Sequence, residues 1–174
     1  MYHLTEGELE FVFEDAVSAR KFDGHDHGLS HCMKAVDFII EFQDKYLFIE
    51  VKDPQNSDAT EDCRRQWIKK LTSKQLDQDL KYKYRDSFLY EWCAGRGDKP
   101  ITYVVLIALD SLDSALMGAR QDELRRILPT GTPLSHGSAP WLRGVSSSTS
   151  NTGTEHCQAA RSDVERRRSD ELSP

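Results

Sequence analysis

Two apolar runs, MKAVDFIIEF (33–42) and YLFIEVK (46–52), are separated only by the turn QDK. So short a connection leaves them one natural arrangement, an antiparallel β-hairpin. Side chains alternate faces along a strand, so Glu50 and Lys52 point one way while Ile49 and Val51 point the other. If Gln43 and Asp44 form a two-residue loop, Phe42 faces Lys45 and Asp37 lies opposite Glu50. A loop starting one residue later sets Asp37 opposite Lys52. Both registers put Asp37 on the face of Glu50 and Lys52, whereas a one-residue slip would reverse every side chain.

Two carboxylates and a lysine on one face of an apolar hairpin need a physical reason, because like charges opposed across a sheet destabilise it. A surface salt bridge would contribute at most about 1 kcal/mol. Phe38, Ile40 and Phe48 leave apolar residues on both faces, so the sheet is expected to be covered on both sides. A buried carboxylate pair must share a proton, meet a cation or coordinate a metal. Oxygen ligands of this kind suit Mg²⁺ or Mn²⁺, which take one or two carboxylates together with water and substrate phosphate. A lysine two residues beyond such a ligand can orient or deprotonate an attacking water, or offset charge building on phosphorus.

Around the hairpin the chain alternates strands and helices. Leu9, Phe11 and Phe13 alternate with acidic residues, which predicts one strand within 8–22, buried on one face. The polar loop FDGHDHGLSH follows. A helix is predicted from about Thr60, and Thr72 with Gln75 resembles a capping box opening a second. Leu76, Leu80, Tyr84 and Phe88 form its apolar stripe, and it should end near Ala94-Gly95. ITYVVLIAL (101–109) suits a central strand buried on both faces. Residues 111–128 read as a helix stopped by Pro129. The fold class expected is α/β, a mixed central sheet with flanking helices.

Composition changes near residue 134. From Ser135 onward the chain is rich in Ser, Thr, Gly and Arg, with the run SSSTSNTGT and the cluster Arg166–Arg168. Such a segment buries too little surface to offset its ordering entropy, so 1–134 is read as one domain and 135–174 as a disordered, solvated tail. No apolar stretch is long enough for a membrane span and the N-terminus does not read as a signal peptide, so a cytoplasmic setting is expected. The cysteines Cys32, Cys63, Cys93 and Cys157 are far apart and suggest reduced thiols rather than a zinc ribbon or redox motif. A net charge of −6 argues against gripping nucleic acid by bulk electrostatics, while leaving room for a local basic groove.

The segment VDFIIEFQDKYLFIEVK resembles the signature of the PD-(D/E)xK, or restriction-endonuclease-like, nuclease superfamily. There an acidic residue ends one strand and the next, hydrophobic strand closes with E-x-K. Asp37, Glu50 and Lys52 match these positions, and Val36 stands where the pattern often has proline. The likeness covers about residues 8–128, including the order helix, apolar strand, helix after the motif. It implies a restriction-endonuclease-like fold and metal-dependent cleavage of DNA, or less often RNA. Asp37 and Glu50 would be the ligands of Mg²⁺ or Mn²⁺, and Lys52 the third catalytic residue. Family members often supply a further glutamate before the first strand, for which Glu14 or Asp15 could substitute, and many act as homodimers or with protein partners. The helix after E-x-K often turns a residue toward the site, which makes Lys83 and Arg85 candidates for phosphate contact, although charges on such a helix are ordinarily its solvent face. The loop His25-Asp26-His27 with His31 lacks a completed zinc pattern and reads as solvated. Trp67 and Trp92 read as packing residues rather than base-stacking platforms. An inactive nuclease fold serving as a protein-interaction module is the other function these residues allow.

Overall fold

In the computed structural model the described residues are 1–24, 28–109 and 113–129, together with the backbone of 142–149. The hairpin forms in the first of the two expected registers. Strands β4 (Phe38–Glu41) and β5 (Tyr46–Lys52) pair antiparallel with Phe38 opposite Ile49 and Glu41 opposite Tyr46. The Phe42 N–H donates to the Lys45 carbonyl at 2.8 Å, closing the loop at Gln43 and Asp44.

The single strand expected within 8–22 is two. β2 (Leu9–Phe13) pairs with β1 (Tyr2–Glu6), and β3 (Ser18–Lys21) pairs with β4. Gly7, at φ +57°, supplies the left-handed residue of the tight β1–β2 turn. After β5, helices α1 (Glu61–Thr72) and α2 (Gln75–Cys93) lead to β6 (Ile101–Ile107), which runs parallel to β5. Helix α3 (Ser114–Ile127) follows, capped by the Asp113 side chain, which accepts from the Ala115 N–H. Strand β7 (Leu142–Thr149) then pairs parallel with β6. The sheet order is therefore β3-β4-β5-β6-β7, antiparallel at one edge and parallel at the other. The α/β class and mixed sheet agree with the sequence reading. Of the segment expected to be a tail, 142–149 is a strand, since backbone pairing needs no large side chains. Residues 135–141 and 150–174 lie outside the described residues.

The two faces of the sheet have different covers. The β1–β2 hairpin lays Phe11 and Phe13 on Phe38, Ile40, Leu47, Ile49 and Val51, with the Phe11 and Phe38 rings 5.2 Å apart. The other face carries Ile39, Tyr46, Phe48, Tyr103 and Val105 against the stripe Leu76, Leu80 and Tyr84 of α2. Tyr84 packs 5.5 Å from Tyr103 and 6.1 Å from Phe48, so α2 is seated over the centre of the sheet. β6 is buried along most of its length, as its apolar run requires.

Two helix ends differ from expectation or sharpen it. Thr72 opens no helix. It closes α1, its hydroxyl donating back to the Ile68 carbonyl at 3.0 Å, and Lys74 in the left-handed region makes the break before α2. At the other end Gly95, φ +75°, lets its own N–H reach the Trp92 carbonyl and that of Arg96 reach Glu91, a Schellman closure. Among the described residues no helix is long and apolar enough to cross a membrane, and Cys32, Cys63 and Cys93 are free and exposed.

Candidate metal centre

Strand β4 starts later than its apolar run, and this positions the first carboxylate. The Val36 N–H leaves the sheet and donates to Ser87 Oγ of α2 at 3.0 Å. Across the hairpin the Val51 N–H of β5, which would donate to the Val36 carbonyl if the ladder ran on, donates instead to Asp37 Oδ2 at 2.6 Å. Asp37 is thus held by β5 through its side chain and by Phe22, whose N–H donates to its carbonyl at 2.7 Å. Opposite it, Glu50 lies on the face of Phe48 and Tyr46, beneath α2, and is 0% exposed, against 5% for Asp37.

Asp37, Glu50 and Lys52 converge on one face, as the register requires. The Lys52 ammonium donates to Glu50 Oε1. Of the two helix residues singled out from the sequence, Lys83 joins them. Its Nζ lies 2.6 Å from Glu50 Oε1 and 3.2 Å from Asp37 Oδ1, bridging the two carboxylates. Arg85 does not. It pairs with Asp86 and lies over the Tyr82 ring at 4.8 Å, because a side chain two positions along a helix is turned about 200° away. Glu14 and Asp15 precede β3 at the end beside Glu41, whereas Asp37 is level with its other end, so neither supplies the further acidic group. The residue that reasoning from sequence missed is Asp23, just beyond that other end. Partial burial and then the charge of Asp37 raise its pKa. His25, Asp26 and His27 lie outside the described residues, and His31 is exposed.

Burial raises the pKa of Glu50, and the neighbouring charge of Asp37 adds to it, while Lys52 and Lys83 oppose the shift without cancelling it. Burial pulls the Lys83 ammonium down, but the carboxylates of Glu50 and Asp37 outweigh it and hold its pKa above the ordinary value. Tyr103, fully buried below the pair, is pushed far up by its burial and then by the same two charges. Its hydroxyl donates to the Leu80 carbonyl at 3.3 Å. Glu50 Oε2 is buried without a hydrogen-bond partner. An acceptor left unpaired in so dry a place costs about 1–3 kcal/mol and calls for a donor or a cation.

The donor set fits a hard divalent cation. Asp37 Oδ1 and Glu50 Oε1 already share one cation, the Lys83 ammonium, and Glu50 Oε2 is an acceptor to spare. Among the described residues no group of three or more His, Cys, Asp and Glu is placed to hold a metal ion. Two carboxylates suffice for Mg²⁺ or Mn²⁺, which keep several waters and take further oxygens from a substrate phosphate, but not for a structural zinc. No family model matches this chain, and no curated protein or solved structure matches it either.

Proposed function

We propose that the chain is a metal-dependent nuclease of restriction-endonuclease-like fold, hydrolysing phosphodiester bonds, with DNA as the expected substrate. The observation that carries this reading is the convergence of Asp37, Glu50, Lys52 and Lys83 under α2, with one oxygen of each carboxylate directed at a single cation. Asp37 and Glu50 would hold Mg²⁺ or Mn²⁺. Bound there, the ion would supply Lewis-acid charge to a phosphoryl oxygen and acidify a water. Lys52, two residues beyond Glu50 on the same face and part-exposed, would orient the attacking water and offset charge building on phosphorus. Lys83 is the second ammonium within reach of a phosphate, which gives an acidic chain a local basic site.

A second reading is an inactive nuclease fold that binds a protein partner. It is favoured by the charge balance of the site, where two ammonium groups already neutralise two carboxylates. Cleavage of plasmid, single-stranded DNA and RNA, each with Mg²⁺, Mn²⁺ or EDTA, separates the two. The expected result is metal-dependent cutting by the wild type that is lost in Lys52→Ala. No cutting by folded wild type, together with no thermal shift on adding Mn²⁺, would leave the interaction module standing.

A further inference from the structure

With all four groups ionised, the two carboxylates balance the ammonium groups of Lys52 and Lys83, so these four side chains together carry no net charge. The lysines are not equivalent. Lys52 reaches only Glu50, from two residues along the same strand. Lys83 comes from a different element and sets one nitrogen between the two carboxylates, where a cation bound by both would sit. A divalent ion entering beside both ammonium groups would leave an excess of two positive charges in a buried site, which the low local dielectric makes costly. Lys83 is the group able to leave. Its ammonium sits on a flexible four-carbon stem, and 23% of the side chain is exposed, so a change of rotamer carries the charge into water. The buried unpartnered Glu50 Oε2 adds a second pull toward a cation that more than one oxygen can share.

We propose that Lys83 is a placeholder cation. It holds the site between Asp37 and Glu50 while no metal is bound, and metal entry expels it toward solvent, where it faces the phosphates of an incoming nucleic acid. The inference rests on the metal-site reading above and adds that this chain's own ammonium competes with the metal.

Two measurements on the full chain test it. Mn²⁺ binding to wild type and to Lys83→Met is followed by electron paramagnetic resonance, without nucleic acid. Removing the competitor should tighten binding by about tenfold, a factor ordinary for coupled sites. In the wild type, acylation of each lysine by an amine-reactive ester is read by mass spectrometry with and without Mn²⁺. Lys83 should become several-fold more reactive when Mn²⁺ is present, while Lys99, which is paired with Glu41 away from the site, should not change. Mn²⁺ binding that is no tighter in Lys83→Met, with Lys83 acylation unchanged, would overturn the placeholder and leave the metal site intact. If Lys83→Met fails to fold, the acylation of wild type decides alone. No Mn²⁺ binding by wild type or variant would overturn the metal site and the placeholder with it.

Discussion

Glu50 of β5, beneath helix α2, and Glu91, near the C-terminal end of that helix, are both buried carboxylates, and the protein treats them in opposite ways. Glu91, 1% exposed, receives both arms of the Arg96 guanidinium, at 2.8 Å and 3.0 Å, and a further bond from Arg20 of β3. The Schellman closure of α2 brings Arg96 back over Glu91, so the same turn that ends the helix delivers its partner. Planar guanidinium forks match both oxygens of a carboxylate and fix its geometry. Glu50 is as deeply buried but is met only by lysines, point charges on flexible stems, and one of its oxygens has no partner. The first arrangement locks an edge strand and a helix end together. The second leaves one buried carboxylate oxygen without a hydrogen bond.

That contrast can be broken experimentally. The largest effect expected is on activity. Glu50→Gln should lower metal-dependent cleavage by about 10³-fold, roughly 4 kcal/mol of transition-state stabilisation. Its unfolding free energy should stay within about 1 kcal/mol of wild type, because a neutral amide escapes the burial penalty of a charge. A urea denaturation showing a larger loss would mean that Glu50 is structural after all. Glu91→Gln should do the reverse. It should destabilise by about 2 kcal/mol, less than the 3–5 typical of a broken buried pair because Arg20 and Arg96 are 35% and 41% exposed and can turn to water. Its Mn²⁺ affinity should be unchanged.

Ser87→Ala comes next. It strips the acceptor from the buried Val36 N–H and should cost about 1–2 kcal/mol. Since Val36 precedes Asp37, its Mn²⁺ Kd should also rise, which a purely structural hydroxyl would not cause.

The smallest effect concerns Glu41, at the opposite end of the hairpin. The hydrogen bond from Lys99 holds its pKa below the ordinary carboxylate value against a smaller opposing effect of burial. As pH falls, the unfolded chain therefore takes up this proton first. The contribution is full above the ordinary glutamate pKa and disappears as pH falls through the lower folded-state value. Glu41→Gln should remove that acid-side slope from a plot of Tm against pH while changing neutral stability by no more than about 1 kcal/mol.

The hairpin and its face were legible because a two-residue turn ties register to sequence: Phe42 against Lys45 forces Asp37 against Glu50, and β5 has the bounds its apolar run implies. The helices read from about Thr60 and over 111–128 were legible in outline and form as Glu61–Thr72 and Ser114–Ile127. β1 was not, because Tyr2, His3 and Thr5 are exposed and leave a weak alternation, though the Glu6-Gly7-Glu8 turn before Leu9 was a usable signal. The late start of β4 was hidden for a different reason: Val36 reads as strand, and only Ser87, 51 residues away, takes its N–H out of the sheet.

Sequence alone determined that Asp37, Glu50 and Lys52 share a face, since that follows from alternation and a short loop, both local properties of the chain. Only the tertiary structure decided that the face is buried beneath α2, that Lys83 rather than Arg85 reaches it, and that Glu91 is locked where Glu50 is not. These outcomes depend on how α2 is rotated about its axis and where it is seated over β5 and β6. That rotation is set by the packing of Leu80 and Tyr84 on Phe48 and Tyr103 from distant strands, which no local pattern encodes.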